Sequence, residues 1–139
     1  MHYRPAALVL AALGAAAALR GDDVSGKDRL LCTAVQSTQC TSDGECKNAP
    51  PLDLNIPQFL EIDLKNRTAT TTKASGENRS SPIGNVSREG GLIIFQGVQN
   101  GRAFSFVISE SSGMASIGVA QEGLTDSIFG ACTPMPEGK

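Results

Sequence analysis

Aromatic rings are scarce in this chain: its 139 residues include no Trp, one Tyr, five Phe and a single His. The lone imidazole and the lone phenol, His2 and Tyr3, both fall in a leader that reads as an export signal. A mature chain without that leader keeps no His, no Tyr and no Trp. Ser-His-Asp and Cys-His catalysis each need an imidazole to take the nucleophile's proton, and the common zinc sites need imidazole or a cluster of thiolates. Neither is expected here. Clefts for sugars and platforms for single-stranded nucleic acid stack their ligands on Trp or Tyr, so these are not expected either. A basic excess is missing too, with 12 Lys and Arg against 14 Asp and Glu, which excludes the electrostatic footprint of a nucleic-acid binder. There is no G-x-S-x-G, S-x-x-K, P-loop, G-x-G-x-x-G or C-x-x-C. Sequence alone thus points to a non-enzymatic protein with no cofactor and no metal.

What is present begins with the leader. Arg4 precedes an apolar run of 14 residues from Ala6 to Leu19, and Ala16, Ala17 and Ala18 supply the small residues that a signal peptidase needs. Such a run is shorter than the roughly 20 residues that span a bilayer. Cleavage after Ala18 leaves residues 19–139 as one exported domain with 11 basic and 14 acidic residues, a formal charge of −3. The first Cys is Cys32, too far from the leader for a lipid-anchoring box, so the mature protein is expected to be soluble, periplasmic or extracellular, and without an integral membrane segment.

Four cysteines, Cys32, Cys40, Cys46 and Cys132, remain in an exported chain of this size, which argues for two disulfides among three possible pairings. Cys40 and Cys46 flank a polar loop with an Asp43-Gly44 turn signal, so we pair them together and Cys32 with Cys132.

From Phe59 onward, short β-rich runs alternate with turn residues, the pattern of an antiparallel β-barrel or meander. No helix of ordinary length is expected. A hairpin loop at Asn100-Gly101 pairs Phe95 with Phe106 and Ile93 with Ile108. A loop at 110–113 pairs Phe106 with Ile117, and one at 122–125 sets Val119 against Ile128 and Ala115 against Cys132. These turns make one face wholly apolar, while the opposite face carries Gln96, Ser105, Ser109, Ser116 and Ser127 and is expected to be mainly solvent-facing. Residues 59–64 and 67–73 form a hairpin around Lys65-Asn66. Residues 82–88, closed by Glu89-Gly90, set Val86 against Ile93, with Pro82 marking an irregular or edge strand. Residues 30–36 supply a first strand beside the last, for about eight strands in all. Residues 21–28 read as a polar lead-in.

Other candidate sites have plainer readings. Glu61 and Asp63 share a strand face, where paired carboxylates serve glycoside chemistry, but opposite Thr68 and Thr70 they read as a solvated surface. Asn66, Asn78 and Asn85 head N-x-S/T triplets, taken as chance matches because the Ala-rich leader looks bacterial. Asp22, Asp23, Asp28 and the segment 42–45 lack the ligand spacing of a calcium loop.

The runs Leu31-Cys32-Thr33-Ala34, Asn55-Ile56-Pro57, Gln96 to Arg102 and Phe129 to Pro134 resemble those of small exported bacterial β-proteins with no assigned activity. That resemblance implies export and fold and transfers no chemistry. In outline the chain also resembles periplasmic inhibitors of C-type lysozyme, and Ser75-Gly76 in the 74–79 loop is similar to the Ser-Gly loop those inhibitors insert. The expectations are a protein that binds a small apolar ligand or an extracytoplasmic protein partner, or alternatively an inhibitor of a secreted hydrolase such as lysozyme.

Overall fold

A computed structural model describes residues 19–72 and 79–136. The leader and Ser75-Gly76 lie outside the described residues, as does Asn78. Among the described residues there are ten strands and one short 3-10 turn: β1 (Arg29–Thr41), β2 (Cys46–Ala49), η1 (Pro51–Leu54), β3 (Phe59–Asp63), β4 (Thr68–Thr71), β5 (Ser80–Pro82), β6 (Asn85–Glu89), β7 (Leu92–Gln99), β8 (Arg102–Ser109), β9 (Met114–Gln121) and β10 (Leu124–Pro134). Nine of them form one antiparallel half-barrel in the order β5-β4-β3-β1-β10-β9-β8-β7-β6, with β2 added beside β1. The two strands that end this order, β5 and β6, are joined by Ile83 and Gly84 alone, so the sheet curls until its edges meet. There Ile83 donates its N–H to the Arg67 carbonyl just before β4, and Gly84 donates to the Gln96 carbonyl on β7.

Turn chemistry explains the register. Asn100 and Gly101 both adopt positive φ, the conformation of a two-residue primed hairpin turn. They place Phe95 opposite Phe106 and Ile93 opposite Ile108, as expected. The 110–113 loop and the Lys65-Asn66 hairpin also give the expected partners, Phe106 with Ile117 and Ile62 with Ala69.

Two registers differ from expectation by two residues. The last hairpin turns at Glu122-Gly123, so Ile128 faces Ile117, Asp126 faces Val119 and Gly130, not Cys132, faces Ala115. Likewise β6 and β7 turn at Gly90-Gly91, both at positive φ, so Val86 faces Phe95 instead of Ile93. A shift of two leaves every side chain on its expected face. Strand β1 runs on to Thr41, five residues past the expected end, because β10 and β2 both pair with its second half. Short β2 and β5 bring the total above eight. The polar lead-in also contributes to the core: Val24, fully buried, closes the lower end of the half-barrel, and its N–H donates to Glu110 at 2.7 Å.

Cys32 lies directly opposite Cys132 in the β1–β10 ladder, with the sulfurs 2.08 Å apart, and Cys40 lies opposite Cys46 in β1–β2. Both pairs match the expected pairing.

Gly97 illustrates how tightly the upper wall is packed. A Cβ there would land on the Phe104 ring and 2.5 Å from the carbonyl oxygen of Pro82. Gly97→Val is therefore expected to destabilise the protein by about 1–3 kcal/mol through overpacking, read as a lower urea midpoint. An unchanged midpoint would mean that the Phe104 ring does not occupy this space.

Candidate functional site

The ladder pairs stack the inward side chains in layers. Near the floor, Ala34, Gly130, Ala115, Ile108 and Ile93 face one another across β1, β10, β9, β8 and β7. Above them lie Ser37, Ile128, Ile117, Phe106 and Phe95, all buried. The next layer is Gln39, Asp126, Val119, Phe104 and Gly97, and the rim holds Leu124, Gln121, Arg102 and Gln99. Polarity thus rises in steps from a wholly apolar floor to an open, hydrophilic mouth.

Between the upper layers is a cavity of about 390 Å³. Its lower wall is apolar, from Ile117, Ile128, Phe106 and Ala69, and Leu54 and Ile56 add to it from the segment 50–58. That segment exists because β1 pairs with β3 through residues 29–33 and with β2 through residues 37–40, leaving the intervening chain to loop away from the sheet edge. A bulge at Val35 marks the break. Both ends of the loop are pinned to β1: Ala34 donates its N–H to the Gln58 carbonyl at 2.8 Å, and Ser37 donates its hydroxyl to the Ala49 carbonyl at 2.5 Å. Pro51 starts η1, and Asn55 in the left-handed region ends it, which turns Ile56 back inward.

At the mouth, hydrogen bonds fix the polar side chains. Gln39 Nε2 donates to Asp126 Oδ1 at 2.9 Å, Arg102 Nε donates to Gln121 Oε1 at 3.0 Å, and Gln99 Nε2 donates to the Ser80 carbonyl at 2.7 Å. Lys47, opposite Gln39 on β2, also lines the opening.

The carboxylates weighed from sequence lie away from this cavity, and three of them, Asp63, Asp43 and Asp23, hold turns. Asp63 accepts from the Asn66 backbone and side-chain amides, each at 2.9 Å, and those bonds hold its carboxyl below the usual range. Its partner on that strand face, Glu61, sits opposite Thr70. Asp43 caps the Cys40–Cys46 turn, bonding to the Thr41 hydroxyl and the Glu45 amide, which lowers its pKa, and Asp23 does the same for Ser25. Asp28 pairs with Arg88 at 3.1 Å, and Asp22 accepts from the Thr133 hydroxyl at 2.6 Å. No cluster of three or more metal-ligating side chains occurs among the described residues. Asn66 and Asn85 are exposed, at a turn and at the start of β6.

Sequence reasoning did not locate the cavity or the polar residues Gln39, Lys47, Arg102 and Asp126 that line its upper part. The available signal was a set of polar residues, Gln39, Gln99, Gln121 and Asp126, falling on otherwise inward positions at one end of their strands.

No protein-family model matches this chain, and no curated protein matches it. None of the described helices is long and apolar enough to cross a membrane.

Proposed function

We propose that this chain is an exported, non-enzymatic half-barrel protein that holds a small apolar molecule in the cavity between β1, β4, β8, β9 and β10. The observation that carries the reading is the cavity itself: about 390 Å³, apolar at its base and open at one end. That volume lies within the range of roughly 300–1,000 Å³ of small-molecule pockets, which are apolar with a few placed polar groups. Two cysteine pairs at bonding distance in a small domain are compatible with export into an oxidising compartment. Of the two carboxylates considered for catalysis, Asp63 is spent on the Asn66 turn and Glu61 lies opposite Thr70 away from the cavity, which supports a binding role over chemistry.

Fluorescence titration with the neutral apolar probe N-phenyl-1-naphthylamine tests the reading. Saturable, one-to-one enhancement is expected. Val119→Trp, which projects a larger ring into the cavity from its half-buried upper wall, should weaken the probe at least tenfold while leaving the β circular-dichroism spectrum unchanged. Absent or non-saturable binding would overturn the proposal. The alternative, an inhibitor of a secreted hydrolase, would gain if the protein failed to bind the probe but blocked lysozyme at equimolar ratio.

A further inference from the structure

Resting on the cavity reading, we infer that the occupant is a single-chain amphiphile with an anionic head, its tail on the apolar floor and its head at the rim beside Arg102 and Lys47. Three observations converge on this class. The first is the stepwise polarity. Below Gln39 and Asp126 the inward side chains of β1, β8, β9 and β10 are apolar except Ser37, which spends its hydroxyl on the Ala49 carbonyl, and the buried Thr71 on β4 bonds the Arg79 backbone through its own hydroxyl, so a polar group carried to the floor meets only groups already engaged. The buried end of the ligand is therefore a plain hydrocarbon. The second is size, because about 390 Å³ is near the lower end of ligand pockets and accommodates one chain better than a two-chain lipid.

The third is charge. The whole chain carries a formal −2, yet among the described residues two cations, Lys47 and Arg102, line the cavity towards its mouth. Neither Lys47 nor Arg102 takes part in an ion pair among the described residues. Asp126 is tied back to the wall by Gln39. Gln121 holds Arg102 by Nε alone, which orients the guanidinium plane and leaves its terminal nitrogens for a two-pronged bond to a carboxylate.

Displacement of N-phenyl-1-naphthylamine at pH 8 and low salt by dodecanoate, dodecanol and dodecylamine, each below its aggregation limit, tests this inference. Dodecanoate is expected to displace the probe at a concentration at least tenfold lower than the alcohol or the amine needs. Arg102→Gln combined with Lys47→Gln, both exposed positions, should bring the acid-to-alcohol ratio to about one. Equal potency of acid and alcohol on the parent protein would overturn the anionic head and leave the apolar cavity standing. So would a ratio that the double variant does not change. If the probe itself does not bind, the cavity reading falls and the head-group inference with it.

Discussion

Replacing both Cys32 and Cys132 by Ala is expected to lower the thermal midpoint by on the order of 15 °C, well beyond the effect of replacing Cys40 and Cys46. The two cysteines are 100 residues apart in sequence, and their sulfurs meet across adjacent strands, so the bond closes nearly the whole domain into one loop. Loop-closure entropy for about 100 residues is worth roughly 4.7 kcal/mol, against about 2 kcal/mol for the six-residue separation of the other pair. The native ladder keeps its backbone bonds in either variant, so the difference arises mainly in the unfolded chain. Burial adds in the same direction, since Cys32 and Cys132 are part of the core whereas Cys46 is exposed. Thermal unfolding of the parent and both double variants decides the matter. Equal losses would show that the long loop is already restrained in the unfolded state, and peptide mapping that recovers Cys32 joined to Cys40 or Cys46 would contradict the pairing itself.

The same ladder shows why the core was legible in the sequence and the cavity was not. Asn100-Gly101 specifies its own turn, and from it the Phe95–Phe106 and Ile93–Ile108 pairs follow by counting. Where Gly occurs next to other turn residues, as in Glu89-Gly90-Gly91 and Glu122-Gly123, several loops fit equally well. Choosing the wrong one displaces partners by two. Since the side-chain period is also two, the apolar pattern cannot detect that slip, and the core face stays correct while Val119 acquires Asp126 in place of Ile128. That exchange hides the site. With Ile128 opposite Val119 that layer offers no polar group, whereas the observed register puts a carboxylate and Gln39 there. The segment 50–58 was equally illegible, because its course follows from β2 and β3 sharing one edge of β1, a long-range pairing with no local signature. Val24 makes the same point on a smaller scale, as one apolar residue among polar neighbours whose burial depends on the distant carbonyl of Glu110.

The closed core and the cavity make different demands on their aromatic residues, and Phe95 and Phe106 should separate them. Phe95 has no exposed surface, and its ring stacks on Phe106 with centroids 4.6 Å apart and planes inclined by 18°. Phe106 in turn meets the edge of Phe104 at 6.0 Å and lines the cavity, which Phe95 does not. Phe95→Ala leaves a void enclosed by β6, β7 and β8 and is expected to cost about 3–5 kcal/mol in urea unfolding. Phe106→Ala loses a ring of the same size and falls in the same range, but the space it vacates joins the existing cavity. Only that variant is expected to accept longer-chain competitors of N-phenyl-1-naphthylamine than the parent protein does. The stacked pair should also couple in a double-mutant cycle by about 0.5–1.5 kcal/mol beyond additive burial. Phe129, on the outer face of β10 and 47% exposed, is the control: its replacement by Ala should cost no more than about 0.5 kcal/mol. A loss at Phe95 as small as that at Phe129 would contradict the register that places it opposite Phe106. An unchanged chain-length preference in Phe106→Ala would move the ligand out of the barrel.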